Sequence, residues 1–168
     1  MSPAENLAQE HERLLPGVVD MKRIADSIGE VGVESLRIDL ASVHEFVNRG
    51  LFPHAVAEGR LMYPIVRRER GTSATTVELN SCHVELARLA DELDAIRDEL
   101  DTSSSITAAQ EGHLRAVLYG MHALAKAHFA EEEEVYVSTL ASHLSPEEAR
   151  TFFEVMERRA EEIRDIQE

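Results

Sequence analysis

Apolar residues recur at spacings of three and four along most of this chain, which is the pattern of amphipathic α-helices. The first stripe ends near residue 28, where Gly29 and Gly32 interrupt it. Its members are Leu7, His11, Leu14, Val18, Met21, Ala25 and Ile28. The stripe predicts a first helix that Pro16 bends in its first half, because proline lacks an N–H and crowds the preceding turn.

Three further long helices are predicted. The second runs from about residue 33 to 68, with a kink expected at Pro53. The polar link GTSATT (71–76) separates it from the third helix, and DTSSS (101–105) separates the third from a fourth over about residues 106–144. Short links favour antiparallel neighbours, so the pattern predicts an all-α fold, an up-down-up-down four-helix bundle.

A short additional helix is predicted after the bundle. Ser145 can cap its start, and the proline and two glutamates that follow suit a first helical turn. We therefore expect a single domain over residues 1–168, with the bundle at about 4–144 and the C-terminal helix at about 146–166.

Composition narrows the possible partners and compartment. The net charge of −15 over 168 residues argues against nucleic acid and against anionic membrane surfaces. No apolar run approaches the ~18 residues of a membrane span, and the acidic N-terminal segment does not resemble a signal peptide. The lone Cys82 cannot form an internal disulfide. These features predict a cytoplasmic protein without nucleic-acid or membrane partners, and they leave its oligomeric state open.

Two segments carry a histidine followed four residues later by a glutamate: His54 with Glu58, and His128 with Glu132. Residues four apart lie on one face of a helix, with Cβ atoms roughly 6 Å apart. One imidazole and one carboxylate can then reach the same metal ion, or two adjacent ions. Two such segments that face each other supply half or more of a dinuclear site.

Two further histidines fall near the same level of the bundle. Antiparallel neighbours mirror their residues about the connecting turn, which brings His11 within a turn of His54. The same construction places His83 about five residues, or ~7 Å, from the mirror of each neighbouring motif. The candidate metal ligands are therefore His11, His54, Glu58, His83, His128 and Glu132.

Several nearby residues are weaker candidates. Glu132 is in phase with His128, and Glu133 is the fallback. His122 lies roughly 120° off this stripe and is a less favoured extra ligand or proton donor. His44 lies about 15 Å along the helix from the nearest motif, too far to share its metal, and is expected at the surface or core edge.

A buried histidine does not by itself indicate a metal, because a lone histidine on an apolar face is more often a hydrogen-bonded core residue. Four at one level, two of them with a carboxylate one turn later, favour metal binding. Burying Glu58 and Glu132 without a cation would cost several kcal/mol or force protonation. Mixed imidazole and carboxylate ligands suit iron, with manganese and zinc as alternatives.

These residues resemble the hemerythrin-like, or HHE cation-binding, family over roughly residues 4–140. The family pattern is a histidine early in the first helix (EHERLLP), H-x-x-x-E-E before an apolar-aromatic-proline ending (HAVAEGRLMYP), a histidine in the third helix (SCHVELARL), and H-x-x-x-E-E in the fourth (HFAEEEEVYV). The resemblance implies a hemerythrin-like domain with two non-heme iron ions, bridged by an oxo or hydroxo group and two carboxylates. The same six residues would be its ligands.

Two departures from the family pattern bear on function. Gly59 replaces the usual second acid of the second-helix motif. Ala87 stands four residues after His83, where the oxygen-carrying hemerythrins have a second histidine. The site then has four histidines rather than five, and we expect a position on one iron to be more open or filled by another group.

An open position favours reaction with hydrogen peroxide, dioxygen or nitric oxide over reversible oxygen carriage, in a catalase-like, peroxidase-like or oxidative-stress role. An enzyme of this kind would be a peroxide-consuming di-iron oxidoreductase. The first alternative is a non-catalytic module that stores, senses or buffers iron or oxygen. The second is a helical interaction protein that binds no metal.

Overall fold

The computed structural model describes residues 3–70 and 74–166. The helices are α1 (Pro3–Ser27), α2 (Val33–Phe46), α3 (Phe52–Arg70), α4 (Ala74–Asp101), α5 (Ala108–His143) and α6 (Pro146–Ile166), and a π-helical turn (Val47–Leu51) joins α2 to α3. These ranges contain no strand, which confirms the all-α prediction. None of the helices described is long and apolar enough to cross a membrane.

Consecutive helices of the bundle are neighbours in space. Helix α1 packs against α2 and α5, and α4 packs against α5 and against both α2 and α3. Because α2 and α3 continue each other through the π-helical turn, they form one side of the predicted four-helix bundle. Helix α6 packs on α3 and α1, outside the ring of four.

The second predicted helix is interrupted just before Pro53. The N–H of Phe52 bonds to the carbonyl of Val47, five residues earlier, which is the π-helical spacing. Pro53 has no N–H to continue the regular pattern. The distortion expected near this proline therefore takes the form of a π-helical turn, and it places His54 in the first turn of α3.

The first predicted link, GTSATT, is shorter than expected. Helix α4 already begins at Ala74, inside the predicted link, and residues 71–73 lie outside the described ranges. At the other end of α4 the helix stops at Asp101, as the link DTSSS predicts. Helix α5 then begins at Ala108, two residues later than expected.

Two helix starts carry reciprocal caps. At α5 the N–H of Gln110 donates to Thr107 Oγ1 (3.3 Å), and the N–H of Thr107 donates to Gln110 Oε1 (3.0 Å). At α6 the N–H of Glu148 donates to Ser145 Oγ (3.3 Å), and the N–H of Ser145 donates to Glu148 Oε2 (2.8 Å). The predicted serine cap is confirmed, as half of a capping box.

Two apolar clusters lie on either side of a polar layer. The larger, the main core, fills the bundle and reaches Phe129 on α5. The smaller, the α6 cluster, consists of Leu7, Met62, Tyr63, Val66, Phe153 and Met156. Between them, α1 buries His11, α3 buries His54 and Glu58, and α5 buries Glu132. The predicted ligands therefore lie where bulk water is excluded from both sides.

Gly17 lies where the Phe46 ring packs against the backbone of α1. A Cβ added at Gly17 would lie 2.4 Å from Phe46 Cδ2, closer than real Cβ contacts. Gly17→Ala should therefore destabilise the protein by about 1–3 kcal/mol, as expected for overpacking, although alanine is the better helix former. Urea unfolding of the metal-free protein, followed by circular dichroism, measures the change.

Gly112→Ala on α5 is the matched control, because an added Cβ there meets no atom within 4 Å. It should stabilise the protein by roughly 0.5–1 kcal/mol, the ordinary gain for glycine to alanine inside a helix. If Gly17→Ala proved neutral or stabilising in the same assay, the close packing of Phe46 against α1 would be wrong.

Candidate metal centre

All six predicted ligand residues converge in the polar layer. Helix α1 supplies one histidine, α3 and α5 each supply a histidine and a glutamate four residues apart, and α4 supplies the last histidine. The buried members are His11, His54, Glu58, His128 and Glu132. His83 is the most exposed member, with 15% of its side chain accessible.

One half of the cluster, the first donor group, consists of His11, His54, Glu58 and Glu132. His54 Nε2 lies 3.0 Å from Glu58 Oε1, and His11 Nε2 lies 3.9 Å from the same oxygen. His11 Nε2 also lies 3.4 Å from Glu132 Oε2. Each residue offers one atom, and these four atoms all lie within 4.8 Å of one another, so a single cation could reach all of them.

The other half, the second donor group, consists of His83, His128, Glu58 and Glu132. The Nε2 atoms of His83 and His128 each lie 3.7 Å from Glu58 Oε2. His128 Nε2 lies 3.2 Å from Glu132 Oε1, and the two Nε2 atoms are 2.7 Å apart. This group too offers four donor atoms within 4.8 Å of one another.

The two glutamates divide their oxygens between the groups. Glu58 presents Oε1 to the first donor group and Oε2 to the second. Glu132 presents Oε2 to the first and Oε1 to the second. Each carboxylate can therefore bridge two cations, and each cation would have two imidazoles and two oxygens from the protein.

The unsatisfied polar atoms of the fold test whether a cation fits. In the part of the chain that the structure describes, every buried side-chain nitrogen or oxygen without a hydrogen-bond partner belongs to this cluster. The atoms are His11 Nε2, His54 Nδ1 and Nε2, Glu58 Oε1 and Oε2, His128 Nδ1 and Glu132 Oε2. Each would cost about 1–3 kcal/mol if left unpaired. Most are the atoms that would bind a metal, so the residues present fit a pair of cations.

The two carboxylates have opposite proton affinities in the metal-free protein. Burial favours the neutral form of Glu58, but the charge of His54 and the nearby imidazoles of His11 and His128 outweigh it, and the pKa of Glu58 stays well below its usual range. Burial, followed by the charge of Glu58, raises the pKa of Glu132 to about 7. Two like charges at one site separate in this way when no cation neutralises them.

The imidazoles of the first donor group bind protons strongly in the metal-free protein. Burial lowers the pKa of His11, but the carboxylates of Glu132 and Glu58 outweigh it and raise the pKa to about 9. At His54 the charge of Glu58 and the carboxylate of Glu10 likewise outweigh burial, so the pKa lies well above its usual value. In the metal-free protein, protons bound to these imidazoles thus supply the positive charge that a metal ion would otherwise bring, and a metal ion must displace them.

His83 behaves differently from the other histidines. Burial, followed by the charge of His128, lowers the pKa of His83 to about 4, which leaves this imidazole neutral at physiological pH. The hydroxyl of Tyr63 lies 3.2 Å from His83 Nε2 and donates to Glu132 Oε1 at 3.1 Å. A phenol oxygen therefore stands beside the second donor group.

The structure separates the alternatives on α5. Glu132 is buried within both donor groups, whereas the side chain of Glu133 is 42% exposed and accepts a hydrogen bond from His11 Nδ1 at 2.9 Å. The Nδ1 of His122 donates to the backbone carbonyl of Val18 at 2.8 Å, and His122 belongs to neither donor group. Glu133 and His122 thus lie outside the donor sets of the described residues.

Two contacts of the site could not be read from periodicity. Glu10 Oε1 lies 3.2 Å from His54 Nδ1, although Glu10 is adjacent to His11 and so points about 100° away from the inward stripe of α1. Tyr63 follows Glu58 by five residues, a spacing that does not share a helix face. The only sequence signals were an acid beside a ligand histidine and an aromatic residue before a proline.

Comparison with known proteins identifies one family. The profile of the hemerythrin HHE cation-binding domain matches residues 2–140. The matched range includes all six residues of the two donor groups and ends before α6. Neither a curated protein nor a solved structure matches the chain.

Loss of a shared carboxylate should release metal from both donor groups. We expect Glu58→Ala and Glu132→Ala to lower metal retention by more than about tenfold, since even residues that only support a ligand contribute that much. Elemental analysis after metal loading and desalting provides the measurement. Glu134→Ala, at an exposed position two residues after Glu132, and His44→Ala, at a half-exposed edge position beside Asp94, should keep wild-type metal content. Equal loss in all four variants would contradict the ligand assignment.

The raised pKa values predict how the metal-free protein responds to pH. A group with a raised pKa in the folded chain contributes stability that is present at low pH and lost as pH rises. For Glu132 the loss extends from its ordinary 4.5 to about 7, and for His11 from 6.5 to about 9. The melting temperature of the metal-free protein should therefore fall between about pH 6 and about pH 9.

The melting temperature of the metal-loaded protein should stay constant or rise over the same pH interval. Its ligands are already deprotonated, and protons compete less with the metal as pH rises. Thermal unfolding with and without a chelator, followed by circular dichroism, compares the two forms. A metal-free protein whose melting temperature climbs over this interval would show that the donor groups are not protonated as described.

Proposed function

The chain belongs to the hemerythrin HHE cation-binding domain family, and on that premise we propose that its two donor groups hold two iron ions that react with hydrogen peroxide, dioxygen or nitric oxide. The observation that carries the proposal is the division of the Glu58 and Glu132 oxygens between two pairs of histidines. This division supports two ions rather than one. Imidazole and carboxylate donors suit iron, with manganese and zinc as weaker alternatives.

The protein's part is to hold the ligands and to keep the site dry. His11 and His54 would hold one ion, and His83 and His128 the other, with both glutamates shared. The Phe129 ring stacks on His11 at 4.2 Å and 9° from parallel, which fixes that imidazole and covers it. Bound iron would supply Lewis acidity and one-electron chemistry.

We propose that small molecules reach the second donor group. His83 is the only one of the six ligand residues that is not fully buried. Ala87, half-buried one turn further along α4, offers no imidazole on that side. The Tyr63 hydroxyl lies within 3.2 Å of His83 Nε2 and donates its proton to Glu132, so its oxygen could accept a hydrogen bond from a small polar molecule or supply an oxygen ligand.

Peroxide is the substrate that this arrangement favours most. Disproportionation turns two molecules of hydrogen peroxide into one of dioxygen and two of water, so it requires no separate reductant. A largely buried centre, with His83 as its most accessible ligand residue, suits such a small substrate and excludes larger reductants. The proposed enzyme is therefore a peroxide-consuming oxidoreductase with an oxidative-stress role, acting in the cytoplasm.

A second candidate function follows from how deeply the site is buried. Five of the six ligand residues are buried, and both glutamates are fully inaccessible. Such burial is equally consistent with a module that binds iron or oxygen without turnover and serves in storage or sensing. Peroxide turnover by the iron-loaded protein, absent from the metal-free form, would distinguish the enzyme from this binding module.

The test of the proposed function joins metal content to peroxide consumption. The reconstituted chain should hold about two iron atoms, because each donor group offers four protein ligand atoms, and it should consume hydrogen peroxide at a measurable rate. Ala87→His should place an imidazole beside the second donor group, slow peroxide consumption and favour reversible dioxygen binding.

Ala95→His is the matched control, since Ala95 is exposed on the same helix two turns further from the site. It should leave peroxide consumption unchanged, whereas His83→Ala should abolish it. A wild-type protein that ignores peroxide and binds dioxygen reversibly would replace the enzyme proposal with the binding module. One iron per chain after full loading would contradict the dinuclear centre.

A further inference from the structure

Each imidazole of the first donor group has a carboxylate next to the ring nitrogen that faces away from the metal site. The Nδ1–H of His11 donates to Glu133 Oε1 at 2.9 Å. Glu10 Oε1 lies 3.2 Å from His54 Nδ1, on the side of that ring away from Glu58. In both rings the Nε2 atom is the one that faces the donor group, so the outer carboxylates stand at the opposite nitrogen.

The second donor group lacks this support among the described residues. Neither His54 Nδ1 nor His128 Nδ1 makes a regular hydrogen bond, but only His54 Nδ1 has a carboxylate oxygen close to it among the described residues, that of Glu10 at 3.2 Å. Within the part of the chain that the structure describes, the acids within 4.0 Å of a ring nitrogen of His83 or His128 are Glu58 and Glu132, both at Nε2. The two donor groups therefore have equal numbers of ligands but different surroundings.

An outer carboxylate acts on a metal through the imidazole that lies between them. It holds the ring in one orientation, fixes the proton on Nδ1 and makes Nε2 a stronger donor, effects that are typically worth 10–100-fold in metal affinity. The side chain of Glu10 is 15% exposed and that of Glu133 is 42% exposed, so solvent screens Glu133 more than Glu10.

We propose that the two metal ions bind in a fixed order, the first donor group before the second, and that Glu10 and Glu133 are the positioning residues that establish this order. This inference rests on the dinuclear centre proposed above and adds the loading sequence of that centre. Neither glutamate is a ligand; each acts through the histidine that it contacts.

The shared carboxylates strengthen the order. The first ion neutralises much of the negative charge of Glu58 and Glu132, so the second ion meets a less negative site. Binding at the first donor group also joins α1, α3 and α5, whereas the second group adds α4 through His83. The protein would therefore close around the first ion and then accept the second at its more exposed side.

The test is a cobalt(II) titration of the metal-free, full-length chain against a competing chelator, followed by visible absorbance. Wild type should bind two ions in two resolved steps. Glu10→Gln and Glu133→Gln keep the side-chain shape but remove the charge, and each should weaken the first step by about 10–100-fold while leaving the second unchanged. Glu12→Gln and Glu134→Gln, exposed neighbours with the same loss of charge, should change neither step.

Two histidine variants assign the steps to the groups. His54→Ala should remove the tight step, and His83→Ala should remove the weak one. The inference is overturned if wild type binds both ions with equal affinity, if the Glu12 and Glu134 variants weaken binding as much as the Glu10 and Glu133 variants, or if His83→Ala removes the tight step. Failure to bind any cobalt would overturn the dinuclear centre itself, which separates that outcome from a wrong loading order.

Discussion

The rest of this structure depends on the burial of Glu58 and Glu132 within one layer of the bundle. Two carboxylates in a dry interior repel each other and lose their hydration, which costs several kcal/mol per ion unless positive charge compensates. Four imidazoles surround them and can compensate in either of two ways, by binding protons or by sharing cations. The opposite pKa shifts of the two glutamates belong to the metal-free protein, in which protons compensate. The ligand atoms without hydrogen-bond partners are suited to the metal-bound protein, in which cations compensate.

The apolar clusters around Glu58 and Glu132 keep water away from these carboxylates. The main core lies on one side of the polar layer and the α6 cluster on the other, so the donor atoms operate in a low-dielectric region where their interactions are strong. Helices α1, α3, α4 and α5 each contribute at least one ligand residue, and none of them contributes a complete donor group. Folding of the bundle and assembly of the site are therefore one event, which is why a metal should affect the stability of the whole domain.

The sequence predicts those features of the site that follow from the geometry of a single helix or of two helices joined by a short link. The H-x-x-x-E spacing places His54 with Glu58 on one face whatever the rest of the chain does, and mirrored positions about the links bring His11 to the same level. The interaction of Glu10 with His54 depends on how α1 is rotated against α3, which periodicity leaves undetermined. The position of Tyr63 depends in the same way on packing between helices, since its hydroxyl reaches residues of α4 and α5.

The π-helical turn over Val47–Leu51 makes the site depend on the length of the chain as well as on its composition. One extra residue in a helix rotates all following residues by about 100° around the helix axis. Here this rotation directs the ligand residues of α3 to the bundle interior, in line with the buried apolar residues of α2. A substitution inside the turn alters one side chain, whereas loss of a single residue would rotate His54 and Glu58 away from the site together. Evolution of a metal-free descendant of this fold would then require one deletion in a segment that touches no metal.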